Sequence, residues 1–255
     1  MMTVFCYDKT FDGLLSCLFD AYSLKDFPEQ LLAVGEPLPL FCDHHYTVVT
    51  DETKSARVWK HITSKLSAAG TRELTHCWLS ELPDIDMLLF RYLRKTIDSP
   101  CSIETNFADE DVLELSKIYK KVSYEAHRLI QFARFQKTSD GTYFAPLEPQ
   151  FNTLPLAIHH FVDRFADEKF LIYDMKRHYG FYYDMHTTTE VTLTDEEERI
   201  NNGRLNEAFA DANETKYQQL WRSYYHTIAI KERINPRKRR QDMPVRYWKY
   251  LTEMQ

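Results

Sequence analysis

Hydrophobic residues along the chain switch between strand-like and helix-like spacing. Residues 3–7 predict a short strand, and the segment after them carries apolar side chains at helical spacing, Leu14, Leu15, Leu18, Phe19 and Tyr22. Residues 46–50 predict a second strand, followed by a helix near residues 51–69. Pro83 suits the first turn of a further helix. The first part of the chain is therefore expected to open as β–α and to continue mainly as helices.

The longest periodic segment lies between residues 109 and 135. One stripe of apolar residues at alternating spacings of three and four indicates a buried helix face, with Val112, Leu115, Tyr119, Val122, Ala126, Leu129 and Ala133. A second stripe lies roughly 200° around the helix, at ~100° per residue. It contains Lys117, Lys121, Tyr124, Arg128 and Gln131. This basic and aromatic stripe is a candidate for phosphate contact, although a solvated helix face has the same pattern.

After residue 134 the pattern becomes strand-like. Asp140 and Gly141 stand between two alternating runs and predict a hairpin, so strand is the alternative to helix at the end of the long periodic segment. Residues 154–165 predict a helix with Pro155 in its first turn, residues 170–173 a strand, and residues 179–192 further β structure.

The last third of the chain predicts two more helices. Thr194 and Glu197 form a capping-box pair that would open an acidic helix. Asn213 would cap the next helix, which Asn235 and Pro236 would end. One face of that helix carries Tyr217, Trp221, Tyr224 and Ile228.

These elements predict a mixed α+β fold that is predominantly helical, with short strands and hairpins. Hydrophobic residues make up 44% of the sequence and aromatic residues 14%, which is ample for a packed core. Because the chain contains no repeat, low-complexity tract or linker, a single domain over residues 1–255 is the simplest interpretation. The alternative is two subdomains divided near residue 141.

Charge is unevenly distributed along the chain. The net charge of −6 argues against a protein that coats DNA with its whole surface. Residues 184–214 contain nine acidic and two basic residues, whereas residues 216–249 contain ten basic and two acidic ones. A polyanion-binding surface is therefore expected near the C-terminal end of the sequence.

The cysteines and the hydropathy pattern indicate the compartment. Five cysteines form no C-x-x-C pair, and no apolar signal segment opens the sequence. No apolar run approaches the roughly 20 residues that cross a bilayer. We therefore expect a cytoplasmic protein without a membrane partner.

The strongest local motif is the basic and aromatic segment over residues 237–250. Four consecutive cations, Arg237, Lys238, Arg239 and Arg240, precede Arg246, Tyr247 and Trp248. Cations attract phosphates, and aromatic rings stack on bases, so this combination is typical of a nucleic-acid surface. The alternative is a solvated basic turn followed by a C-terminal helix whose rings pack into the core.

Enzymatic patterns are weaker. Asp174 and Lys176 follow a strand-like run as in half of a metal-dependent nuclease site, with Glu148 or Asp163 as the required acidic partner. His159 and His160 offer acid–base or metal chemistry, with paired helix histidines as the ordinary interpretation. The scattered Cys42, His44, His45, His76 and Cys77 match no zinc spacing. The phosphate-loop, dinucleotide and zinc-deaminase motifs are absent, so we predict no cofactor and no resident metal, and no reaction is specified.

Several segments together resemble a known bacterial family. They are YDKTFDGLLSCLFDAY from residue 7, EAHRLIQFARF from residue 125, HHFVDRF with the later IYD, and the closing NPRKRRQDMPVRYWKYLTE. The family consists of probable DNA metabolism proteins that carry a domain of unknown function, and the resemblance covers nearly the whole chain. The family has no assigned reaction.

The resemblance implies a context of DNA repair or modification. In that family, the gene usually lies next to a gene for a radical SAM protein. The family's domain is sometimes fused to a uracil-DNA glycosylase domain. This chain has neither an iron–sulfur cluster motif nor a glycosylase signature, so such chemistry would belong to a partner. The motif positions that the resemblance marks for testing are Asp8, Phe11, Asp12, Gly13, Glu125, Arg128, Arg134, Arg246, Tyr247 and Trp248.

The sequence therefore predicts an accessory nucleic-acid-binding protein that acts with a radical SAM or glycosylase-type partner. The expected contacts to DNA come from Lys121, Tyr124, Arg128, Arg134, Arg237, Lys238, Arg239, Arg240, Arg246, Tyr247 and Trp248. Two alternatives stay open. One is a metal-dependent nucleic-acid hydrolase that uses Asp174 and Lys176, and the other is a protein-interaction scaffold without DNA affinity.

Overall fold

A computed structural model describes residues 2–194, 200–201 and 203–254 of the chain. Its contacts form two compact units, Met1–Ser123 and Tyr124–Gln255. The predicted mixed α+β fold with mostly helical content is confirmed. The acidic helix predicted after Thr194 lies outside the described residues, and the number of independently folding domains stays a prediction. Within the described residues, no helix is long and apolar enough to span a bilayer.

The first unit contains a three-stranded parallel sheet. The central strand is β1 (Thr3–Tyr7), flanked by β2 (Gln30–Ala33) and β3 (His44–Thr47). Phe5 pairs with Leu31 on one side and with Tyr46 on the other. Since a parallel strand covered on both faces has no solvent side, all five residues of β1 are buried, which explains its unbroken apolar run. The four-residue β2, too short to show a period, was not predicted.

Five helices surround this sheet or follow it in sequence, and local caps define the first three. The helices are α1 (Phe11–Leu24), α2 (Glu52–Lys65), α3 (Ala68–Trp78), α4 (Ile85–Asp98) and α5 (Glu110–Phe132). Thr10, Asp51 and Ser67 each accept a hydrogen bond from a backbone N–H of the first turn that follows. The single helix predicted over residues 51–69 is therefore two helices, because Ser67 caps a new one. The boundary between the two units falls within α5.

The second unit is built on a five-stranded mixed sheet. Its strands, in spatial order, are β4 (Gln136–Lys137), β5 (Tyr143–Leu147), β6 (Phe170–Asp174), β7 (Tyr179–Tyr183) and β8 (Thr188–Val191). Only β5 and β6 are parallel, and α6 (Leu154–Arg164) forms the connection between them. The predicted hairpin is confirmed: β4 and β5 are antiparallel, and Gly141 has φ of +86° in their turn.

Apolar residues cover both faces of this sheet. Ala145 and Leu147 of β5 lie in one buried cluster with Tyr247 and Leu251 from the end of the sequence. Phe144, the neighbour of Ala145, lies in a second cluster, as alternation along a strand requires. The second cluster also includes Ile200 and Leu205 from the short antiparallel strands β9 (Ile200–Asn201) and β10 (Arg204–Leu205).

The C-terminal segment differs from the prediction in three ways. Helix α7 (Glu214–Ile228) begins after Asn213, but the Asn213 side chain makes no capping hydrogen bond. Asn235 does not end α7; its side chain caps a separate helix, α8 (Pro236–Asp242). The last residues form 3-10 turns, Val245–Tyr250 and Thr252–Met254, in place of a regular C-terminal helix.

Gly13 is required by close packing at the start of α1. A Cβ atom at this position would lie 2.2 Å from Asp8 Oδ1 and 2.8 Å from Cδ2 of the Tyr7 ring. Asp8 is held by hydrogen bonds from Thr10 and Thr50, and Tyr7 is fully buried, so neither side chain is free to move aside. The cap of α1 is thus Thr10, and Asp8 fixes Thr10.

We expect Gly13→Ala to destabilise the protein by about 1–3 kcal/mol through overpacking, although alanine favours an isolated helix by ~1 kcal/mol. The free energy of unfolding in urea measures this effect. Gly70→Ala in α3 is the control, because its close neighbour is only the Glu104 carboxylate, whose hydrogen bonds from Ser67 can be replaced by water, whereas Gly13 also meets the buried Tyr7 ring. Equal stability changes in the two variants would contradict the packing argument.

Candidate nucleic-acid interface

Helix α8 presents its four cations to solvent. Arg237, Lys238, Arg239 and Arg240 are all exposed, and the Asn235 cap, which accepts the Lys238 backbone N–H at 3.0 Å, fixes the first turn. Lys238 Nζ lies 2.8 Å from the exposed Asp242 carboxylate. Arg237 and Arg240 form no ion pair with any described residue. Four successive positions at 100° intervals point around most of the helix, so α8 offers positive charge on several sides.

Trp248 is a partly buried ring that is already in contact with a cation. Its indole Nε1 donates to the Met243 carbonyl oxygen at 3.0 Å. The Arg239 guanidinium lies 5.1 Å from the ring centroid, within the range of a cation–π interaction. Trp248 thus links α8 to the turn that follows it, Val245–Tyr250. A base could stack only on the part of the ring that Arg239 leaves uncovered.

Arg246 and Tyr247 are both bound to the buried Glu125 carboxylate. Tyr247 is 0% exposed, and its hydroxyl donates to Glu125 Oε1 at 2.9 Å. Arg246 donates to both oxygens of the same carboxylate, from Nε at 3.2 Å and from Nη2. Burial raises the pKa of the Tyr247 hydroxyl, and the Glu125 carboxylate acts in the same direction. The prediction that Tyr247 contacts a base is wrong. The Arg246 guanidinium is already bound to a carboxylate.

Glu125 is the buried partner of this group. It also accepts the backbone N–H of Gln150 at 2.8 Å, and Arg128 Nη1 lies 3.7 Å from its Oε2. The i, i+3 pair of Glu125 and Arg128 is therefore the ordinary helix ion pair that sequence spacing allows. Lys121 and Tyr124 are exposed on α5, as a phosphate-contacting stripe requires. Their role stays a prediction.

Arg134 lies beside a second buried carboxylate, Glu253. The Arg134 guanidinium donates to Glu253 from Nη2 at 2.6 Å and from Nε at 3.3 Å, and the Trp221 indole N–H donates to Oε2 at 2.9 Å. Burial by itself would raise the pKa of Glu253, but the hydrogen bonds from Arg134 and Trp221 outweigh it and hold the pKa below its ordinary value. Glu253 stays ionised and fixes both partners.

Arg134 and Trp221 line a cavity of about 580 Å³ in the second unit. We call it the aromatic pocket and define it by Arg134, Lys137, Tyr143, Tyr217, Gln218 and Trp221. Tyr217 is 62% exposed and Trp221 40% exposed. The sequence placed Tyr217 and Trp221 on one helix face, but it gave no signal that this face remains solvent-accessible in the fold.

Asp174 and Lys176 do not form a metal site. Asp174 is buried; it accepts the backbone N–H groups of Lys176 and Arg177 and pairs with Arg177 Nη1 at 2.8 Å. Burial raises the pKa of Asp174, partly offset by the hydrogen bond from Arg177. The carboxylate therefore closes the turn between β6 and β7.

The other possible ligands are also dispersed or occupied. Lys176 Nζ donates to the Gln150 carbonyl oxygen at 3.2 Å, and Glu148 binds Tyr250 and Lys249. His159 and His160 are exposed on α6. No group of three or more His, Cys, Asp or Glu residues that could hold a metal occurs in the part of the chain that the structure describes.

The motif near residue 8 in the first unit has a structural role. Phe11 packs edge-on against Trp59 and Trp78. The buried Asp86, which the sequence did not single out, accepts hydrogen bonds from the Tyr7 hydroxyl at 2.9 Å and from Lys9 Nζ at 2.6 Å. These contacts hold the backbone where Lys9 adopts a positive φ of 58°.

Removing Glu125 is expected to destabilise the second unit strongly. Glu125→Ala leaves Arg246, Tyr247 and the Gln150 N–H without their acceptor. Because Arg246 is one-third exposed, water can replace part of what it loses, and we expect the free energy of unfolding to fall by about 3 kcal/mol. Urea denaturation measures this loss. Glu148→Gln, which weakens a half-exposed pair with Lys249, should change stability by no more than about 1 kcal/mol. Similar values for both variants would contradict the assigned role of Glu125.

Glu253 should make stability depend on pH in the acid range. Because its folded pKa lies below the ordinary value of 4.5, its ionic contacts contribute fully above that pH and are lost as pH falls through the folded pKa. The stability gap between the unmodified protein and Glu253→Gln should therefore narrow from pH 7 to pH 3, measured by urea denaturation. A gap that stays constant or widens on acidification would refute this.

Comparison with known proteins gives a family but no activity. A family model described as a domain of unknown function, DUF4130, matches residues 83–253. No curated protein matches the chain. One similar solved structure is a pGpG-specific phosphodiesterase, PggH from Vibrio cholerae, at 11% identity, with 89% of this chain and 99% of that chain covered and a TM-score of 0.37. That likeness carries no conclusion about fold or activity. The match to the family model, which spans well over half of the sequence, shows that the chain belongs to the DUF4130 family.

Proposed function

We propose that this protein binds nucleic acid as an accessory factor in DNA repair or modification, together with a radical SAM or glycosylase-type partner. The observation that carries the binding proposal is α8, a capped helix with four consecutive solvent-exposed cations. The DNA context and the identity of the partner are supported by the sequence resemblance alone. The proposed contacts to phosphates come from Arg237, Lys238, Arg239 and Arg240.

Local charge rather than net charge supports this proposal. The whole chain carries −6, so nonspecific attraction of DNA to the entire surface is disfavoured. Lys and Arg side chains that neutralise phosphates release bound counterions, which makes binding strongly salt-dependent. Arginine adds a planar fork that matches two phosphate oxygens. The exposed Arg237 and Arg240 side chains, which pair with no carboxylate of the described residues, are the best placed for such contacts.

A scaffold role is the second candidate, and one observation favours it. Helix α7 exposes large apolar side chains, among them Leu220, Tyr224 and Ile228, each at least half accessible. An apolar helix face of this kind is a common docking surface for another protein. Binding to the partner without measurable DNA affinity would support the scaffold role over nucleic-acid binding. The hydrolase alternative has no such support, because the Asp174 carboxylate is bound by its own turn.

Neutralising α8 should weaken DNA binding and reduce its salt dependence. In a variant with Arg237, Lys238, Arg239 and Arg240 all changed to Gln, each lost phosphate contact should lower the log–log slope of affinity against salt by about 0.9 on duplex DNA. Fluorescence anisotropy titrations at several salt concentrations measure this slope.

The control removes the same charge from the first unit, by changing the exposed Arg57, Lys60, Arg72 and Lys120 to Gln. This control should bind DNA nearly as the unmodified protein does. The proposal fails if the α8 variant keeps the original affinity and slope, or if both variants lose affinity equally.

A further inference from the structure

We propose that the aromatic pocket receives one unpaired nucleobase of the strand whose phosphates contact α8. This inference rests on the proposed function and extends it, since it names a second site and the part of the nucleic acid that the site binds. Both the pocket and α8 belong to the second unit.

The first argument is the pair of accessible rings on α7. Tyr217 and Trp221 are four residues apart, so they lie one above the other on the same side of the helix. They remain 62% and 40% exposed although each offers a large apolar surface. Flat rings that remain in contact with water are suited to stacking on a base, which is sequence-tolerant because every base has a π face.

The second argument is that one ring is held in advance. The Trp221 indole N–H is bound to Glu253, and the Arg134 guanidinium, bound to the same carboxylate, lies 6.0 Å from the Trp221 ring centroid. A ring that is fixed before binding loses little conformational entropy when a ligand stacks on it. Tyr217 lies one helical turn away and completes the aromatic side of the pocket.

The third argument is the charge that remains at the pocket. Two carboxylates lie nearby: Glu253 is paired with the Arg134 guanidinium, and Glu214 accepts the Lys137 backbone N–H and the Gln218 amide, each at 2.9 Å. Lys137 Nζ lies 5.6 Å from the Tyr143 ring centroid and pairs with no carboxylate of the described residues. An ammonium beside exposed aromatic rings fits the phosphate that accompanies a base.

The fourth argument is the polar edge of the pocket. The Gln218 Nε2 group donates to Glu214, which fixes the amide and leaves its carbonyl oxygen as an acceptor. Acceptors of this kind match the amino groups on base edges. The cavity of about 580 Å³ is in the range of small-molecule sites. Because neighbouring base pairs cover both faces of a base inside a duplex, only an unpaired base offers a free face to these rings.

The test compares two side chains of the same helix. Tyr217→Ala removes a ring that lines the pocket, whereas Ile228→Ala removes a similarly exposed apolar side chain, 55% accessible, that does not line it and lies seven residues beyond Trp221. Binding is measured by fluorescence anisotropy with a short single-stranded DNA, the same strand made abasic, the corresponding duplex, and free deoxyadenosine monophosphate.

Tyr217→Ala is expected to weaken binding of the intact single strand by about 5- to 150-fold, the range of one lost stacking contact, and to leave duplex and abasic binding unchanged. Ile228→Ala should stay close to the unmodified protein with all ligands. An independent measurement needs no variant: 2-aminopurine placed in the strand should lose fluorescence when the unmodified protein stacks on it.

Several outcomes overturn the inference and identify what failed. If the abasic strand binds as tightly as the intact strand, or if 2-aminopurine fluorescence does not change, no base enters the pocket, whereas α8-dependent binding can persist. If the free nucleotide binds through Tyr217 as tightly as the strand, the ligand is a mononucleotide. If loss of the α8 charge has no effect while Tyr217→Ala weakens strand binding, the proposed role of α8 fails and the base site stands.

Discussion

The buried Glu125 carboxylate is the interaction on which the rest of the second unit depends. It accepts hydrogen bonds from Arg246, Tyr247 and the Gln150 backbone. At 1% exposure a carboxylate is costly to bury without such partners, and the donors in turn need its oxygens as acceptors. Helix α8 ends a few residues before Arg246 and is joined to it by a short turn. The position of the basic helix is therefore determined largely by one glutamate on α5.

A second carboxylate, Glu253, has the same effect a few residues later in the chain. It holds Arg134 at the end of α5 and Trp221 on α7. The segment between residues 246 and 253 is thus fixed at both ends by charge-assisted hydrogen bonds, with Tyr247 and Leu251 packed into the apolar cluster between them. The basic and aromatic segment over residues 237–250 resembles a single nucleic-acid motif in the sequence. This arrangement explains why it has two roles in the structure. Residues 237–240 of this segment remain in solvent, whereas Tyr247 and Leu251 anchor the fold.

Much of the fold was predictable because local signals were strong. The five-residue apolar run of β1, the two-sided period of α5 and the Asp140–Gly141 turn each have one dominant structural interpretation, and each was confirmed. The break between α2 and α3 was missed because Ser67 caps a helix within an otherwise continuous helical pattern. Strand β2 was missed because four residues do not establish a period.

The site was less predictable because burial of aromatic and charged residues is decided by distant contacts. Tyr247 and Tyr217 have the same chemistry and similar basic neighbours, yet one is sealed inside and the other exposed. Glu125, which accepts the Tyr247 hydroxyl, and Glu253, which binds Arg134 and Trp221, are not distinguished from surface glutamates by the hydrophobic pattern of the sequence. Exposure of α8 was predictable, because four adjacent cations cannot all be buried without partners.

The long sequence separation of the Glu125–Arg246 contact has a consequence for how the protein is made. The two residues are 121 positions apart, and Arg134 and Glu253 are 119 apart. All internal contacts of the first unit are available once Ser123 has been made, while later codons are still being translated. In the second unit, the contacts of Glu125 and Glu253 wait for residues near 250 to leave the ribosome. Until then, α6 can cover the apolar cluster on β5, but Tyr247 and Leu251 have yet to join it.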